Sequence, residues 1–331
     1  MIDAAIVGLG WWGQRIISSL HNRSDKIQIV LGIDHRPDAG SELPEEQRPQ
    51  VVTDYYEALS NPKIDAVILA TPHSLHEEQI TLSANAGKHV FCEKPLALNK
   101  KSAERAITAC DEANVLLGIG HMRRYEPSLL HIKNLVDRGE LGTLMHVEAN
   151  FSHDVLANVD SKDWRASTAE SPIPALSGMA IHLTDAYIHL FGPIDEVFAY
   201  STQRCGNWGA GDTLSVQFRF KSGMTGSLST ILVTPIYIRF QVFGAQAWVE
   251  ALSDVHPGQE GITQLTVART GEQKQVRKFN YVDTVLTNLE AFADAVECRS
   301  PYPFTRAEKL ENVAVMEAII ESAVTGRPVT P

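Results

Sequence analysis

Cysteine is scarce in this sequence: there are four in 331 residues, and none of them forms a CxxC pair. The chain therefore lacks the spacing of a zinc site and the cysteine density of a disulfide-linked scaffold, and we expect reduced, mostly buried thiols. Long apolar runs are also absent, as is a basic segment followed by a cleavage site near the amino terminus. These absences favour a cytoplasmic protein without a membrane partner.

Positive charge is in the minority. Lys and Arg number 29 against 40 Asp and Glu, which gives a formal net charge of -11. A chain with this balance has no overall field that would attract nucleic acid or an anionic membrane, so we expect neither as a partner. An anionic ligand would need a local site.

The composition is that of an ordinary globular protein, with 44% hydrophobic and 21% charged residues. At about 150 residues per domain, the length favours two domains. Residues 1–120 alternate short apolar runs with helical segments, which predicts a doubly wound parallel sheet of the Rossmann type. The predicted strands are Ala4–Val7, Ile27–Ile33, Ala66–Ala70, His89–Cys92 and Val115–Ile119, and the predicted helices are Trp12–His21, Leu75–Ala86 and Lys101–Ala113.

A different period begins after residue 120. Apolar and polar residues alternate over 145–151, 214–220 and 236–242, which predicts strands with one face on a core. We therefore predict that residues 121–331 form an α+β domain with a large, mostly antiparallel open sheet, whose C-terminal helix can pack back on the first domain. Because an open sheet exposes its edges and one face, we expect a homodimer or homotetramer formed through it.

A glycine-rich turn follows the first predicted strand. Gly8, Gly10 and Gly13 form a G-x-G-x-x-G motif directly before the first helix. Glycines at these positions permit a tight turn and a close approach of the backbone to a dinucleotide pyrophosphate, which the helix N-terminus faces. Trp11 and Trp12 lie inside the motif, either along the cofactor or packed between helix and sheet.

Asp34 ends the second predicted strand, where a carboxylate can accept hydrogen bonds from the ribose of NAD and repel the 2′-phosphate of NADP. Arg36 could turn toward that phosphate, so NAD is the expected cofactor and NADP the alternative. Three candidate cofactor neighbours follow a later strand, at the sheet edge where such folds bind ligands; they are Thr71, Pro72 and His76. His76 is equally compatible with a position on the helix surface.

The run AGKHVFCEKPLAL at residues 86–98 places Glu93, Lys94 and Pro95 directly after a predicted strand. With the glycine-rich turn, it resembles the glucose-fructose oxidoreductase, inositol dehydrogenase and rhizopine-catabolism (Gfo/Idh/MocA) family. GHMRRYEP at 120–127 and RGELGTLMHVEANFS at 138–152 are also similar to that family. The resemblance implies an NAD(P)-dependent oxidoreductase acting on sugars, polyols or related cyclic diols.

Lys94 suits this chemistry, because an ammonium beside the nicotinamide can bond an alcohol oxygen and stabilise the charge that develops on it. A solvated surface lysine is the other interpretation. The resemblance implies that Pro95 adopts a cis bond that aims the lysine. Glu93 would orient Lys94 or contact the cofactor.

The family's second catalytic element is a histidine on a helix of the C-terminal domain, four residues after an aspartate. The segment SGMAIHLTD aligns this histidine with His182, but it places Gly178 at the aspartate position. Asp185 could instead hold one ring nitrogen while the other accepts the substrate proton. Alternatively, Lys94 transfers the proton with water. His189 shares the helix face, but this spacing does not predict a metal site.

Three arginines are candidate substrate residues. Arg123 and Arg124, and Arg165 beside Trp164, could clamp a carboxylate if the substrate is acidic. They could equally hold the cofactor phosphates or lie at the surface. These segments are similar to the branch of the family that includes 4,5-dihydroxyphthalate dehydrogenases, although a shared fold does not fix the substrate.

Three functions are compatible with these residues. The leading one is a dehydrogenase in which a ring CH-OH, or a cyclic dihydrodiol, gives a hydride to the nicotinamide. The second is a hydrolase or epimerase that retains NAD and oxidises its substrate transiently. The third is a dinucleotide-binding sensor without catalysis, which Gly178 suggests and the intact tripeptide at 93–95 opposes.

Overall fold

The computed structural model of the protein describes residues 1–155, 157, 159–160, 163–205 and 211–331. The chain divides into two compact units. The first unit contains Met1–Met122 and Asp283–Leu310, and the second contains Arg123–Val282 and Glu311–Pro331.

The helices and strands follow one another in regular α/β alternation up to residue 120. They are β1 (Ile2–Val7), α1 (Trp11–Leu20), β2 (Ile27–Ile33), β3 (Gln50–Val52), α2 (Tyr55–Ser60), β4 (Ala66–Leu69), α3 (His76–Asn85), β5 (His89–Cys92), α4 (Lys100–Glu112) and β6 (Leu117–Ile119).

Strands dominate the remainder of the described chain. The elements are α5 (Pro127–Asp137), β7 (Leu144–Ser152), α6 (Ile181–Phe191), β8 (Ile194–Thr202), β9 (Thr213–Phe220), β10 (Thr225–Ile231), β11 (Tyr237–Gly244), β12 (Ala247–Ser253), β13 (Ile262–Arg269), β14 (Gln275–Asn280), α7 (Thr284–Val296) and α8 (Arg306–Thr325).

The first unit is built on a parallel sheet with the strand order β3-β2-β1-β4-β5-β6. This is the order of a dinucleotide-binding Rossmann fold, so the predicted fold of the first half is confirmed. Its central strand β4 is buried at every residue, as an apolar run between two helical layers requires. The edge strand β3 has only three residues, too few to give a periodic signal in the sequence.

Helix α7 packs in the first unit although it follows the second sheet in the chain. Leu289, Phe292 and Ala293 on its apolar side are fully buried in the core of the first unit, and Phe292 lies edge-to-face on Phe91 of β5 at 5.6 Å. Asp283 caps the helix by accepting a hydrogen bond from the Leu286 N–H. The sequence predicts a second domain of residues 121–331 with a C-terminal helix that can pack back on the first, whereas in the structure residues 283–310 belong to the first unit.

The second unit contains an eight-stranded sheet in the order β14-β13-β12-β11-β7-β10-β9-β8. Neighbouring strands are antiparallel, except that β7 and β10 run parallel. The prediction of a large, mostly antiparallel sheet is therefore confirmed. Alternate residues of β9 are buried, from Leu214 to Phe220, which explains the period of two in the sequence.

Helix α6 is anchored to this sheet by an aromatic core. Tyr187 is fully buried among the rings of Phe218, Phe220 and Phe240, and its hydroxyl donates to the Ser227 carbonyl at 2.7 Å. The helix is preceded by a π-helical turn over Leu176–Ala180. Among the described residues, no helix is both long and apolar enough to cross a membrane.

Candidate active site

Three neighbouring strands of the first sheet end at the same edge. The glycine-rich turn follows β1, residues Ala70–Pro72 follow β4, and Glu93–Pro95 follow β5. Since these strands are parallel and adjacent, their carboxyl ends bring the three loops together. This edge is where open α/β sheets bind their ligands.

The three motif glycines have different roles in the turn. Gly8 has a φ of +92°, and a Cβ there would overlap the Ala70 carbonyl oxygen. A Cβ on Gly13 would overlap the Gly8 carbonyl oxygen, so this position allows α1 to pack closely on the strand. Gly10, the N-cap of α1, faces open space. A pyrophosphate therefore fits the surface at Gly10, where a side chain would fill the space.

The two tryptophans of the motif divide between the two roles considered above. Trp11 is 53% exposed, whereas Trp12 is partly buried against the hydrophobic core of the first unit. Their rings lie edge-to-face at 5.2 Å. Trp12 therefore packs the helix on the sheet, whereas the Trp11 ring lies at the surface.

Asp34 is buried directly beyond β2 and binds the glycine-rich turn. Its Oδ2 accepts from the Leu9 N–H at 2.9 Å, while Oδ1 accepts from the Arg36 N–H at 3.0 Å and from Arg36 Nε at 3.2 Å. Burial raises the pKa of Asp34, but these donors outweigh burial and leave the pKa below its ordinary value. His35 Nδ1 also lies 3.2 Å from Oδ1, so the acceptor position that remains for a ribose hydroxyl is on Oδ2, which accepts only the Leu9 N–H among the described residues.

The loop after β4 contains the other predicted cofactor neighbours. Pro72 lies at the start of the 3-10 turn His73–Leu75. Thr71 donates from its hydroxyl to Gln79 Oε1 at 2.6 Å. His76, predicted as a cofactor neighbour or a surface residue, is fully buried, and both of its ring nitrogens face main-chain oxygens.

Glu93 and Lys94 lie at the end of β5, followed by a cis Lys94-Pro95 bond. The Lys94 N–H donates to Glu93 Oε2 at 3.3 Å, and the Glu93 side chain is buried against Gly120, where a Cβ would lie 2.6 Å from Glu93 Cδ. Burial raises the pKa of Glu93, and the nearby Trp12 indole and Lys94 ammonium oppose this effect only in part. Lys94 itself is only partly buried.

In the second unit, His182 lies on α6 and is 4% exposed. Its ring is 6.3 Å from the ring of Phe151, which also contacts the rings of His153 at 5.3 Å and His256 at 6.0 Å. His153 and His256 are not among the site residues predicted from the sequence. His153 continues the alternation of β7 beyond Phe151, which is a usable signal, whereas nothing in the sequence around His256 marks it.

Asp185 was predicted to hold the His182 ring, but the structure gives both of its oxygens to Arg124. Arg124 Nε donates to Asp185 Oδ2 at 2.8 Å and Nη2 donates to Oδ1 at 2.7 Å, and both side chains are 4% exposed. Arg124 Nη1 also donates to His189 Nδ1 at 3.1 Å. The physical reason is that a buried guanidinium needs a carboxylate that accepts from two of its N–H groups. The Asp185 carboxylate therefore binds Arg124 rather than the His182 imidazole.

The other predicted substrate arginines are also paired within the second unit. Arg123 lies 4.6 Å above the Phe151 ring and donates to both oxygens of Glu126 at 2.6 and 3.1 Å. Arg165 stacks on Trp164 at 4.2 Å and donates to Asp163 at 3.3 Å. In the described part of the chain, no group of three or more His, Cys, Asp or Glu side chains is arranged to hold a metal ion.

Known sequences and structures share this architecture. Residues 2–121 match the oxidoreductase family with the NAD-binding Rossmann fold, and residues 129–250 match the Gfo/Idh/MocA C-terminal domain. The chain belongs to the Gfo/Idh/MocA family. As a member, it is an NAD(P)-dependent oxidoreductase with an NAD-binding first unit.

This Gfo/Idh/MocA oxidoreductase has relatives with named activities. It is 29% identical over 318 residues to myo-inositol 2-dehydrogenase of Thermotoga maritima, covering 89% of this chain and 88% of that protein. It is 27% identical over 281 residues to D-xylose 1-dehydrogenase (NADP(+)) 2 of Haloferax volcanii, covering 85% of each. The solved aldose-aldose oxidoreductase from Caulobacter crescentus superposes with a TM-score of 0.86 at 25% identity, covering 100% of this chain and 99% of that one.

Proposed function

We propose that this protein is an NAD-dependent dehydrogenase that oxidises a secondary alcohol on the ring of a neutral sugar, polyol or cyclic diol. The observation that carries the proposal is the place of Lys94: its loop ends β5, one strand from β4 and two strands from the glycine-rich turn after β1. A cofactor bound along that turn would extend toward this loop.

Lys94 acts on the alcohol oxygen. Its ammonium donates a hydrogen bond to the oxygen and stabilises the negative charge that develops there as the carbon is oxidised. The nicotinamide, when bound, supplies the chemistry of accepting the hydride. Glu93 holds the Lys94 main chain from its buried place against Gly120.

His182 accepts the alcohol proton in the proposed reaction. Its imidazole is buried on α6 beside Phe151, and a neutral imidazole nitrogen can accept a proton. Asp185 is assigned to Arg124 rather than to the imidazole. Gly178, at the family's aspartate position, lies in the π-helical turn before α6 and has no side chain that could hold the His182 ring.

The cofactor is held mainly by the backbone of the glycine-rich turn and by Asp34. Gly8, Gly10 and Gly13 shape the turn, and Asp34 accepts the ribose hydroxyls. Trp11 and Pro72 border the same edge. The carboxylate favours NAD over NADP, because Arg36 is already bound to Asp34 and the 2′-phosphate would face a negative charge.

The pairing of the arginines supports a neutral substrate. Arg123, Arg124 and Arg165 each donate to a carboxylate of the second unit, so their charges are balanced before a substrate arrives. An acidic substrate would have to compete with these carboxylates, and for the buried pair of Arg124 and Asp185 the cost of separation is substantial. The carboxylate clamp expected for an acidic substrate is therefore not part of the proposal.

The experiment is to incubate purified protein with NAD and a panel of inositols, aldoses, sugar acids and cyclic dihydrodiols, and to follow NADH absorbance. We expect net NADH with a neutral cyclic alcohol and none with sugar acids. Substrate conversion with tightly held NAD and no net NADH would instead identify a hydrolase or epimerase. NADH binding without conversion of any compound would leave only the sensor function.

We also propose that the protein forms a homo-oligomer through its second sheet. Tyr200 of β8 is 62% exposed and Tyr237 of β11 is 45% exposed, and aromatic residues are enriched in protein–protein interfaces. Light scattering should give a mass at least twice the 36.4 kDa of the chain. Replacement of both tyrosines by lysine should shift that mass toward the monomer.

A further inference from the structure

His76 connects two loops at the carboxyl edge of the first sheet. It is the first residue of α3 and has no exposed surface. Its Nδ1 lies 2.8 Å from the carbonyl oxygen of Pro95, and its Nε2 lies 3.1 Å from the carbonyl oxygen of Thr71. The imidazole therefore spans the gap between the loop after β4 and the loop after β5.

Both contacts are made to main-chain oxygens, which can only accept hydrogen bonds. A neutral ring donates from one nitrogen only, so it can bond one of the two carbonyls, whereas the imidazolium donates to both. The 2.8 Å contact of Nδ1 places the ring against the Pro95 carbonyl, directly after Lys94.

The Thr71 side of the imidazole is fixed relative to the glycine-rich turn. The Ala70 N–H donates to the Val7 carbonyl at 2.8 Å, and the Ala70 carbonyl occupies the space that a Cβ of Gly8 would need. A shift of this loop would therefore move the turn that receives the pyrophosphate. His76 joins that turn to the main chain of Lys94.

We propose that His76 is a positioning residue that sets the place of the Lys94 ammonium relative to the cofactor turn and does not itself touch the cofactor. A cofactor ligand would need an accessible polar atom, whereas the His76 ring is fully buried with both nitrogens turned to main-chain oxygens. The proposal rests on the proposed function, in which Lys94 acts on the substrate oxygen.

Two substitutions separate the two contacts. In His76→Asn the side-chain amide takes the place of Nδ1 and can still donate to the Pro95 carbonyl. In His76→Gln the longer side chain takes the place of Nε2 and can donate to the Thr71 carbonyl. His89→Gln is the matched control, because His89 lies at the opposite end of β5, where its Nδ1 accepts from the Leu116 N–H.

We expect one variant to change kcat and the other to change NADH affinity. His76→Gln should lower kcat by roughly 10- to 100-fold with an almost unchanged Kd for NADH, since a misplacement of about 1 Å can cost about 10²-fold in rate. His76→Asn should keep kcat close to that of the unsubstituted protein and weaken NADH binding. His89→Gln should change neither quantity.

A double-variant cycle with Lys94→Ala tests whether His76 acts through Lys94. In the Lys94→Ala background, His76→Gln should cause almost no further loss of rate, because the group that it positions is absent. A full additional loss would overturn the proposal and make His76 a general structural residue. Equal losses of kcat and NADH affinity in the Asn and Gln variants would overturn it as well.

The failure of this proposal can be told apart from failure of the proposed function. If Lys94→Ala keeps its activity, Lys94 is not catalytic and both proposals fail. If Lys94→Ala is inactive and the cycle is additive, only the role of His76 fails. Should His76→Gln not fold, His76→Asn still decides: reduced kcat with unchanged NADH affinity contradicts the proposal, and the reverse supports it.

Discussion

Buried polar groups near the candidate site find their partners differently in the two units. In the first unit, Asp34 and His76 bind main chain: Asp34 accepts from the Leu9 N–H, and His76 faces the carbonyls of Thr71 and Pro95. In the second unit they bind other side chains, as Arg124 binds Asp185. The first arrangement fixes loops, whereas the second balances charges.

This difference predicts different consequences of substitution. A main-chain partner is present whatever the neighbouring side chain is, so a change in the first unit should move a loop and affect binding or turnover. A side-chain partner that loses its mate stays buried and charged, which is costly. Changes in the second unit should therefore reduce stability first.

The largest effect is expected for Asp185→Asn. The substitution leaves the Arg124 guanidinium buried without its carboxylate, and breaking a buried ion pair costs about 3–5 kcal/mol. Denaturant unfolding should show this loss in the free energy of unfolding, while the pH profile of the oxidation rate should keep its position. If the pH profile of the oxidation rate instead moves to lower pH while the free energy of unfolding is unchanged, Asp185 acts on His182.

The matched control replaces both partners. Arg124→Met combined with Asp185→Leu removes the two charges together and keeps similar volume, so the double variant should be close to the unsubstituted protein in stability or above it. If the double variant is as unstable as Asp185→Asn, the cost arises from packing rather than from the orphaned charge. The predicted difference between substitutions in the first and in the second unit would then be wrong.

Lys94→Ala should have the next largest effect and should act on rate alone. We expect kcat to fall by about 10²-fold or more, the usual scale for loss of one donor that stabilises developing charge, with the Kd for NADH nearly unchanged in a fluorescence titration. Lys101→Ala, which removes an exposed lysine of α4, is the control and should retain activity. Loss of NADH binding in parallel with rate would make Lys94 a cofactor residue.

The same difference explains what the sequence could predict. The roles of Gly8, Gly10 and Gly13 follow from local backbone requirements, and parallel strands bring their loops together by topology alone. Consequently the parallel sheet of the Rossmann type and the sheet edge that carries Lys94 could be inferred. The place of α7 in the first unit could not be inferred, because all strands of the second sheet lie between α7 and the first sheet in the sequence. Strand β3 could not be inferred, because its three residues are too few to give a periodic pattern.

Side-chain partners in the second unit left much weaker signals. Asp185 pairs with Arg124, 61 residues away, although His182 is nearer in sequence and suggested a local contact. Only the packed structure shows which of the two lies on the carboxylate. The histidines around Phe151 illustrate the same limit, since His256 joins the cluster from a loop with no periodic pattern.

Lys309 is a cation of the first unit that is bound by a main-chain carbonyl, so it tests the difference between the two units. Its Nζ donates to the Leu117 carbonyl at 2.8 Å, and burial lowers its pKa from 10.5 to about 8. Below about pH 8 both the folded and the unfolded chain hold the proton, so the cost of the buried charge is at its full size there. Lys309→Met should therefore be more stable at pH 7, by about 2 kcal/mol after allowance for the lost hydrogen bond.

That advantage should disappear at high pH. Between the folded pKa of about 8 and the unfolded value of 10.5, the unfolded chain retains a proton that the folded chain has released. The free energy of unfolding of the unsubstituted protein then rises with pH relative to the variant, and the difference closes. A constant difference between pH 7 and 10 would mean that Lys309 is solvated rather than buried as a charge.

Asp34→Asn should have the smallest effect, because most of its contacts to the main chain survive. The amide oxygen can still accept the Leu9 N–H, so the turn should remain in place, but the negative charge that selects against a 2′-phosphate is lost. NADH affinity should fall by roughly 10-fold, the cost of replacing charge-assisted hydrogen bonds by neutral ones, and NADPH affinity should not fall. Arg36→Ala is the matched variant and should leave NADH binding nearly intact; if it abolishes NADPH binding while Asp34→Asn changes nothing, Arg36 reads the cofactor and Asp34 serves only the turn.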